Sequence, residues 1–283
     1  MIANNMDQIY KRICFDLVTA PEVRGTKELN NYSFTLTNLD NNVINIRNIS
    51  KSYICGELLW YALGRNDVDF INKFAGLWGR ISDDGVTSYS AYGDIVFKRH
   101  GFNQVDKIIQ LLCDDPESRR AVINFNVPNE NVIKTKDEIC TIALQFLIRD
   151  GKLHCTGVMR SNDVWYGLPY DVIFFTELTK YIARRLNIPH GTYTHNVISL
   201  HAYERNYDDI LATSVANVKS KITVDFEKLM NFRFVLEHVV EKAENPKEEL
   251  VEACETLEIL KEKKHRPDCK LCKKYEEEML NEN

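Results

Sequence analysis

Arg160-Ser161-Asn162-Asp163-Val164-Trp165-Tyr166-Gly167-Leu168-Pro169-Tyr170-Asp171 is the stretch on which the reading of this chain turns. It places an arginine and a serine suited to a phosphate, a tight Gly-Leu-Pro loop and a closing carboxylate within one short span. Twenty residues upstream stands the Cys140-Thr141 pair, a candidate thiolate nucleophile. A cysteine attacks only as thiolate, and a nearby arginine can lower its pKa from about 8.5 towards neutrality. Phosphate clamp, nucleophile and base-reading acid together point to nucleotide chemistry.

Working outward, Ile142 to Arg149 and Lys152 to Met159 read as two strands joined at Asp150-Gly151, a strong hairpin signal. Cys140 then precedes one strand and Arg160 follows its partner. Val172 to Leu186 carries Phe174, Phe175, Leu178, Tyr181 and Ile182 at helical spacing, ended by Asn187 through Pro189, with Asp171 as the expected N-cap. Upstream, Tyr32 to Ile49 alternates on both sides of Leu39-Asp-Asn-Asn42 and predicts two strands, preceded by a loop with Arg24-Gly25. Residues 51 to 63 predict a helix carrying Glu57 and ended by Gly64. Val105 to Cys113 predicts another, stopped at Asp114-Asp115-Pro116, with Arg119 and Arg120 at the entry to a strand over 120 to 126.

Length and composition bound the alternatives. A chain of 283 residues that is 44% hydrophobic can bury a substantial core. A net charge of -5 argues against a footprint for long nucleic acid. Eight irregularly spaced cysteines suit a reducing compartment rather than a disulfide scaffold. No basic, apolar leader opens the chain and no run approaches the roughly 18 apolar residues of a membrane helix, so a cytoplasmic protein is expected. The pattern divides into residues 1–236, a catalytic domain, and 237–283, a charged, helix-prone extension.

The motif resembles the Arg-Ser-x-Asp-x-x-x-Gly-Leu-Pro-x-Asn segment of the thymidylate synthase superfamily. The likeness runs from about Arg24 to Tyr203: Gly56-Glu57-Leu-Leu-Trp60, Tyr92-Gly93, Asp115-Pro-Glu-Ser-Arg119-Arg120, Cys140 with Gln145, and His201-Ala-Tyr203. It implies an α+β fold whose large mixed β-sheet is flanked by helices, with a sheet face used for homodimerisation. It also implies that Arg24, Arg160 and Ser161 hold the substrate phosphate, with Arg119 and Arg120 supplied by the other subunit. His201 and Tyr203 would meet the sugar hydroxyl, Glu57 and Tyr92 would handle protons and water near the base, and Gln145, Asn162, Asp163 and Gly167 would order the base pocket. The implied co-substrate is 5,10-methylenetetrahydrofolate.

Asp171 stands where the methylating enzymes have asparagine, and Thr141 where they usually have histidine, as in the deoxycytidylate and cytidylate hydroxymethylases of the superfamily. Cytosine presents an acceptor at ring nitrogen 3 and a donor at its 4-amino group, the reverse of uracil. A protonated carboxyl can match cytosine by donating to the nitrogen and accepting from the amine. The sequence therefore predicts hydroxymethyl transfer to carbon 5 of a cytosine nucleotide through a Cys140 adduct at carbon 6. The charged end of the chain, Lys274-Tyr275 to Asn283, lacks the small apolar terminus that closes over folate in methylating members, which favours water as the last nucleophile.

Each residue also has a plain structural reading: Glu57 a solvated helix residue, Tyr92 core, His201 a satisfied histidine, Arg119-Arg120 a surface pair. It is their common register that favours the site. His265, Cys269 and Cys272 make three potential zinc ligands without a fourth, and a charged surface helix with two ordinary thiols is preferred, so no metal is expected. Thymidylate synthase action on deoxyuridylate and a non-catalytic nucleotide- or RNA-binding protein are the competing readings.

Overall fold

The computed structural model describes residues 1–127, 132–218 and 220–264. The strands are β1 (Ile2–Ala3), β2 (Glu22–Val23), β3 (Thr26–Leu36), β4 (Val122–Asn124), β5 (Thr141–Arg149), β6 (Lys152–Asp163), β7 (His190–Tyr203), β8 (Ser220–Val224) and β9 (Leu260–Lys264). The helices are α1 (Met6–Val18), α2 (Lys51–Ala62), α3 (Val68–Asn72), α4 (Trp78–Ile81), α5 (Tyr92–Phe97), α6 (Gln104–Asp114), α7 (Leu168–Arg185), α8 (Tyr207–Ser214), α9 (Phe226–Lys242) and α10 (Pro246–Thr256). A seven-stranded sheet runs in the order β1-β3-β7-β6-β5-β4, with β2 paired to β3. It is mixed: β6 and β7 are parallel, whereas β3/β7, β5/β6 and β4/β5 are antiparallel. This is the α+β architecture expected from the sequence.

The predicted hairpin forms, its turn made by Asp150 and Gly151 at φ 51° and 70°. Alternation then sorts the side chains of β5, with Leu144 and Phe146 fully buried and Gln145 on the other, half-exposed face. Helix α7 packs on β6 and β7 and sends Phe174, Phe175 and Leu178 into the core. The opposite sheet face, with Thr35 bonded to Thr194 and Ser33 to Asn196, stays half-open. Among the described residues no helix is long and apolar enough to cross a membrane.

Three expectations need correction. The second strand predicted between Val43 and Ile49 does not form: Val43, Ile44 and Ile46 are buried, but the backbone N–H groups of Asn45 and Ile46 donate to the buried Asp7 carboxylate at 2.5 and 3.0 Å. A side chain has replaced the ladder, so apolar burial does not become a strand. Strand β6 continues to Asp163, so Arg160 to Asp163 lie within the strand rather than after it. Helix α7 begins at Leu168 with Gly167 as N-cap, because Pro169 suits a first helical turn. Asp171 is therefore inside the first turn, and its carboxylate caps nothing.

The division expected after residue 236 falls within α9. Residues 237–264 include α10 and β9, and α10 packs on α2 with Lys51 bridging Glu255 and Glu262 at 2.9 and 2.6 Å. His265, Cys269, Cys272 and the charged end of the chain lie outside the described residues.

Helices α2 and α5 meet where Gly93 lies so close that a Cβ there would stand 2.2 Å from Tyr61 Cα. Backbone cannot yield as a side-chain tip can. Gly93→Ala is expected to destabilise the protein by about 2–3 kcal/mol and to part Tyr92 from Glu57. Chemical denaturation checks the first effect and loss of turnover the second.

Candidate active site

Cys140 sits immediately before β5, and Arg160 lies across the hairpin with its backbone N–H donating to the Cys140 carbonyl at 2.9 Å. The Arg160 guanidinium donates to the carbonyls of Ile139 and Glu138 at 2.9 and 2.8 Å and stands 3.7 Å from Cys140 Sγ. The two residues thus meet, as their strand positions imply. The electrostatic outcome differs from the sequence expectation, however. Burial pushes the Cys140 thiol up to about 11, and although Arg160 lowers it, Asp171, Asp137 and Glu138 raise it further. In the free protein the sulfur keeps its proton, because desolvation outweighs one cation.

Asp171 faces this cysteine from the first turn of α7. Asn162 Nδ2 donates to its Oδ2 at 2.7 Å, and Tyr92 lies close by. Burial nevertheless raises its carboxyl to about 7, against the lowering by these neighbours. Gly167 leaves room for the pair: a Cβ there would come within 3.0 Å of Asn162 Nδ2 and 3.3 Å of Asp171 Oδ2. The Oδ1 of Asn162 is buried without a hydrogen-bond partner, so the site holds an acceptor awaiting a donor.

Glu57 is the second acid. On one face of α2 the spacing Tyr53, Glu57, Tyr61 brings both phenols to its Oε1, at 2.6 and 3.2 Å, and Trp78 Nε1 donates to Tyr53 Oη at 3.0 Å. Burial raises the Glu57 carboxyl to about 8, with the neighbouring Asp171 charge adding to the effect. Two acids poised near neutrality beside a thiol are the arrangement expected of proton transfer. Tyr53, Tyr61 and Trp78 were not singled out from the sequence. The i, i+4 tyrosines around an otherwise isolated glutamate were the available signal.

Glu57 binds its proton more tightly folded than unfolded, so unfolding releases that proton. Stability therefore falls as pH rises from about 4.5 to about 8. Glu57→Gln removes this loss and is expected to add about 1–3 kcal/mol at pH 8 with little change at pH 4. Thermal unfolding at the two pH values checks it.

The remaining residues divide. Ser161 Oγ lies 3.4 Å from His201 Nδ1, His201 is paired with Asp163 in the β6/β7 register, and Tyr203 contacts the His201 ring. Asp163 Oδ1 accepts from the backbone N–H of Trp165 at 2.8 Å, shaping the loop. Gln145 instead donates to the Arg119 carbonyl at 2.9 Å, on the segment where Arg119 and Arg120 are exposed and Arg120 pairs with Asp115. Arg24 is exposed on the β2/β3 turn with φ 51°. These three arginines are outside the cluster around Cys140, on surfaces open to a second chain or a ligand. Leu77, next to Trp78 in the chain, is exposed. No cluster of His, Cys, Asp and Glu suited to a metal occurs among the described residues.

Comparison with known proteins gives the family. A family model described as thymidylate synthase matches residues 19–241. The chain is 34% identical over 167 residues to a deoxyuridylate hydroxymethyltransferase of Pseudomonas phage M6, covering 57% of this chain and 47% of that protein. It is 28% identical over 206 residues to the deoxyuridylate hydroxymethyltransferase of Bacillus phage SP01, covering 65% of this chain and 54% of that protein. The chain thus spans about half the length of these curated relatives. Thermostable thymidylate synthase A from Bacillus subtilis has the same fold, with TM-score 0.66 at 22% identity over 79% of this chain and 89% of that one.

Proposed function

Because the chain belongs to the thymidylate synthase family, we propose that it transfers a one-carbon unit to carbon 5 of a cytosine nucleotide, deoxycytidylate or cytidylate, and releases the 5-hydroxymethyl nucleotide. The observation that carries the choice of base is Asp171, a carboxyl held at about 7 beside the nucleophile and beside the unpartnered Asn162 Oδ1. A proton on Asp171 meets ring nitrogen 3, and the acceptors left over suit the two N–H bonds of the 4-amino group. Uracil would set its N3–H and O4 against the same groups.

Cys140 Sγ adds to carbon 6, forming a C–S bond, while the ring electrons move through carbon 5 and carbon 4 to nitrogen 3 and take the Asp171 proton. A protonated Asp171 also removes one of the charges that oppose ionisation of Cys140. The thiol proton departs to solvent as Arg160 favours the thiolate. Glu57, largely protonated at neutral pH, exchanges protons at the base edge with Tyr53 and Tyr61 holding its other oxygen. Bound 5,10-methylenetetrahydrofolate would supply the one-carbon unit at the oxidation level of formaldehyde and leave as tetrahydrofolate; carbon 5 loses its proton, water adds to the transferred carbon, and the C–S bond to Cys140 breaks. Release of hydroxymethyl rather than methyl is supported by the names of the two phage relatives.

Those relatives are named for deoxyuridylate, and this favours deoxyuridylate hydroxymethylation as the second reading. Arg24, Arg160 and Ser161 are proposed for the phosphate, His201 and Tyr203 for the sugar, and Arg119 and Arg120 for the phosphate of a partner subunit across the half-open sheet face. All six described cysteines are free, in keeping with a reducing, cytosolic setting. Incubating each of the four monophosphates of cytidine, deoxycytidine, uridine and deoxyuridine with the folate, and weighing the products, tests the proposal. A cytosine nucleotide heavier by one CH2O is expected; product from a uracil nucleotide alone would overturn it.

A further inference from the structure

The residues just ahead of the nucleophile are tied to a loop that enters from another part of the fold. Asp137 is buried, and its Oδ2 accepts from Ser88 Oγ at 2.8 Å, the Tyr89 N–H at 2.7 Å and the Ser90 N–H at 3.4 Å, while Ser90 Oγ donates to its Oδ1. One residue earlier, the Lys136 N–H donates to Asp83 Oδ1 at 2.7 Å. That loop is itself anchored: the Ser88 N–H donates to the Asn66 carbonyl and the Val68 N–H to the Val86 carbonyl, both at 2.8 Å. On the other side of Cys140, Thr141 Oγ1 donates to Tyr92 Oη at 2.7 Å, at the start of α5. The stretch 88–92 therefore grips the chain both before and after the nucleophile.

Between these grips the carbonyls of Glu138, Ile139 and Cys140 all accept from Arg160. Where the guanidinium stands, and hence its 3.7 Å approach to Cys140 Sγ, follows the backbone that leaves Asp137. We infer that Asp137 is a positioning residue: its carboxylate fixes the start of this segment so that the carbonyls of Glu138 and Ile139 hold the Arg160 guanidinium against the Cys140 sulfur. Its charge acts the other way, since an anion near Sγ disfavours the thiolate. Geometry and charge can be separated with an amide. An asparagine oxygen accepts the three bonds now made to Oδ2, and its NH2 donates to the Ser90 hydroxyl, with no charge present. The consequence for turnover rests on the proposed role of Cys140; the geometry does not.

The test is alkylation of Cys140 in the full-length, substrate-free protein by anionic iodoacetate and by neutral iodoacetamide, read at that residue by peptide mass spectrometry. The thiolate fraction cancels in the ratio of the two rates, and an adjacent guanidinium raises that ratio by attracting the anion. Asp137→Ala is expected to lower the ratio by about threefold or more, whereas Asp137→Asn holds or raises it. With the nucleotide that the unaltered protein converts, kcat should fall about tenfold or more in the alanine variant and return to within about threefold in the asparagine variant. A ratio that rises in both variants would leave only the effect of charge and overturn the inference, as would an equal fall in both. Should Asp137→Ala fail to fold, the double variant Ser88→Ala/Ser90→Ala removes two donors and keeps the carboxylate; it should lower the ratio by about twofold, and an unmoved ratio there overturns the inference. Absence of turnover with every pyrimidine nucleotide would defeat the proposed function and leave the alkylation ratio to decide this inference.

Discussion

Asp171→Asn is expected to swing the ratio of kcat/KM for cytosine over uracil nucleotides by about 10²- to 10⁴-fold towards uracil. The magnitude follows from pairing. In the unaltered site a uracil N3–H and O4 face a carboxyl and the Asn162 oxygen, leaving an acceptor against an acceptor; one such mismatch costs about 1–3 kcal/mol. In the variant, Asn162 Nδ2, which donates to Asp171 Oδ2 at 2.7 Å, would hold the new amide by its oxygen. That orientation turns the amide N–H bonds to uracil O4, while the same oxygen has a second lone pair for N3–H.

The variant also loses a titrating group. Protonated Asp171 is needed for cytosine, so activity of the unaltered protein should fall as pH rises through about 7. The asparagine variant should lack that limb. Competition between deoxycytidylate and deoxyuridylate, measured from pH 5.5 to 8.5, reads both effects. An unchanged ratio would mean that the base is read elsewhere.

Cys140→Ser is expected to lower release of tritium from carbon 5 by about 10³-fold or more while leaving nucleotide binding in place. Loss of the carbon 5 proton requires carbon 5 to become a nucleophile, which addition at carbon 6 provides. A serine hydroxyl is both harder to ionise and less nucleophilic than a thiol, and the desolvation that already holds the Cys140 thiol at about 11 would weigh on an alkoxide still more. Arg160 remains within reach of the backbone carbonyls of Glu138 and Ile139, so the variant keeps the local frame. Release within tenfold of the unaltered rate would remove Cys140 from the chemistry. Absence of release with every pyrimidine nucleotide, even from the unaltered protein, would instead favour a binding role.

The functional reading and the stability of the site pull in opposite directions. Glu57 and Asp171 are held away from the charge state that water would favour and the Cys140 thiol is held further from ionisation, each chiefly by burial. That burial comes largely from aromatic packing, such as Tyr61 against Phe174 and Tyr92 against Phe175. Stabilisation of the protein by neutralising Glu57 should therefore accompany loss of activity.

Local pattern was sufficient for the hairpin at Asp150-Gly151, for α2 and α6, and for the existence of α7, because turn chemistry and apolar period act over a few residues. It was also sufficient for the family and hence the fold, since the spaced pieces from Glu57 to Tyr203 must share one register. The start of α7 and the missing second strand were decided otherwise. Pro169 lets the helix begin before Asp171, and the Asp7 carboxylate, 38 residues distant in sequence from Asn45, takes the N–H groups a ladder would have used. That Arg160 meets Cys140 could be read from the chain; that Arg24, Arg119, Arg120 and Gln145 lie apart from it, and what state the buried acids and thiol are in, could not. The Cys140, Glu57 and Asp171 proton affinities depend on desolvation by residues brought from α2, α5, β5 and α7 at once, a property of the packed interior that no local stretch carries.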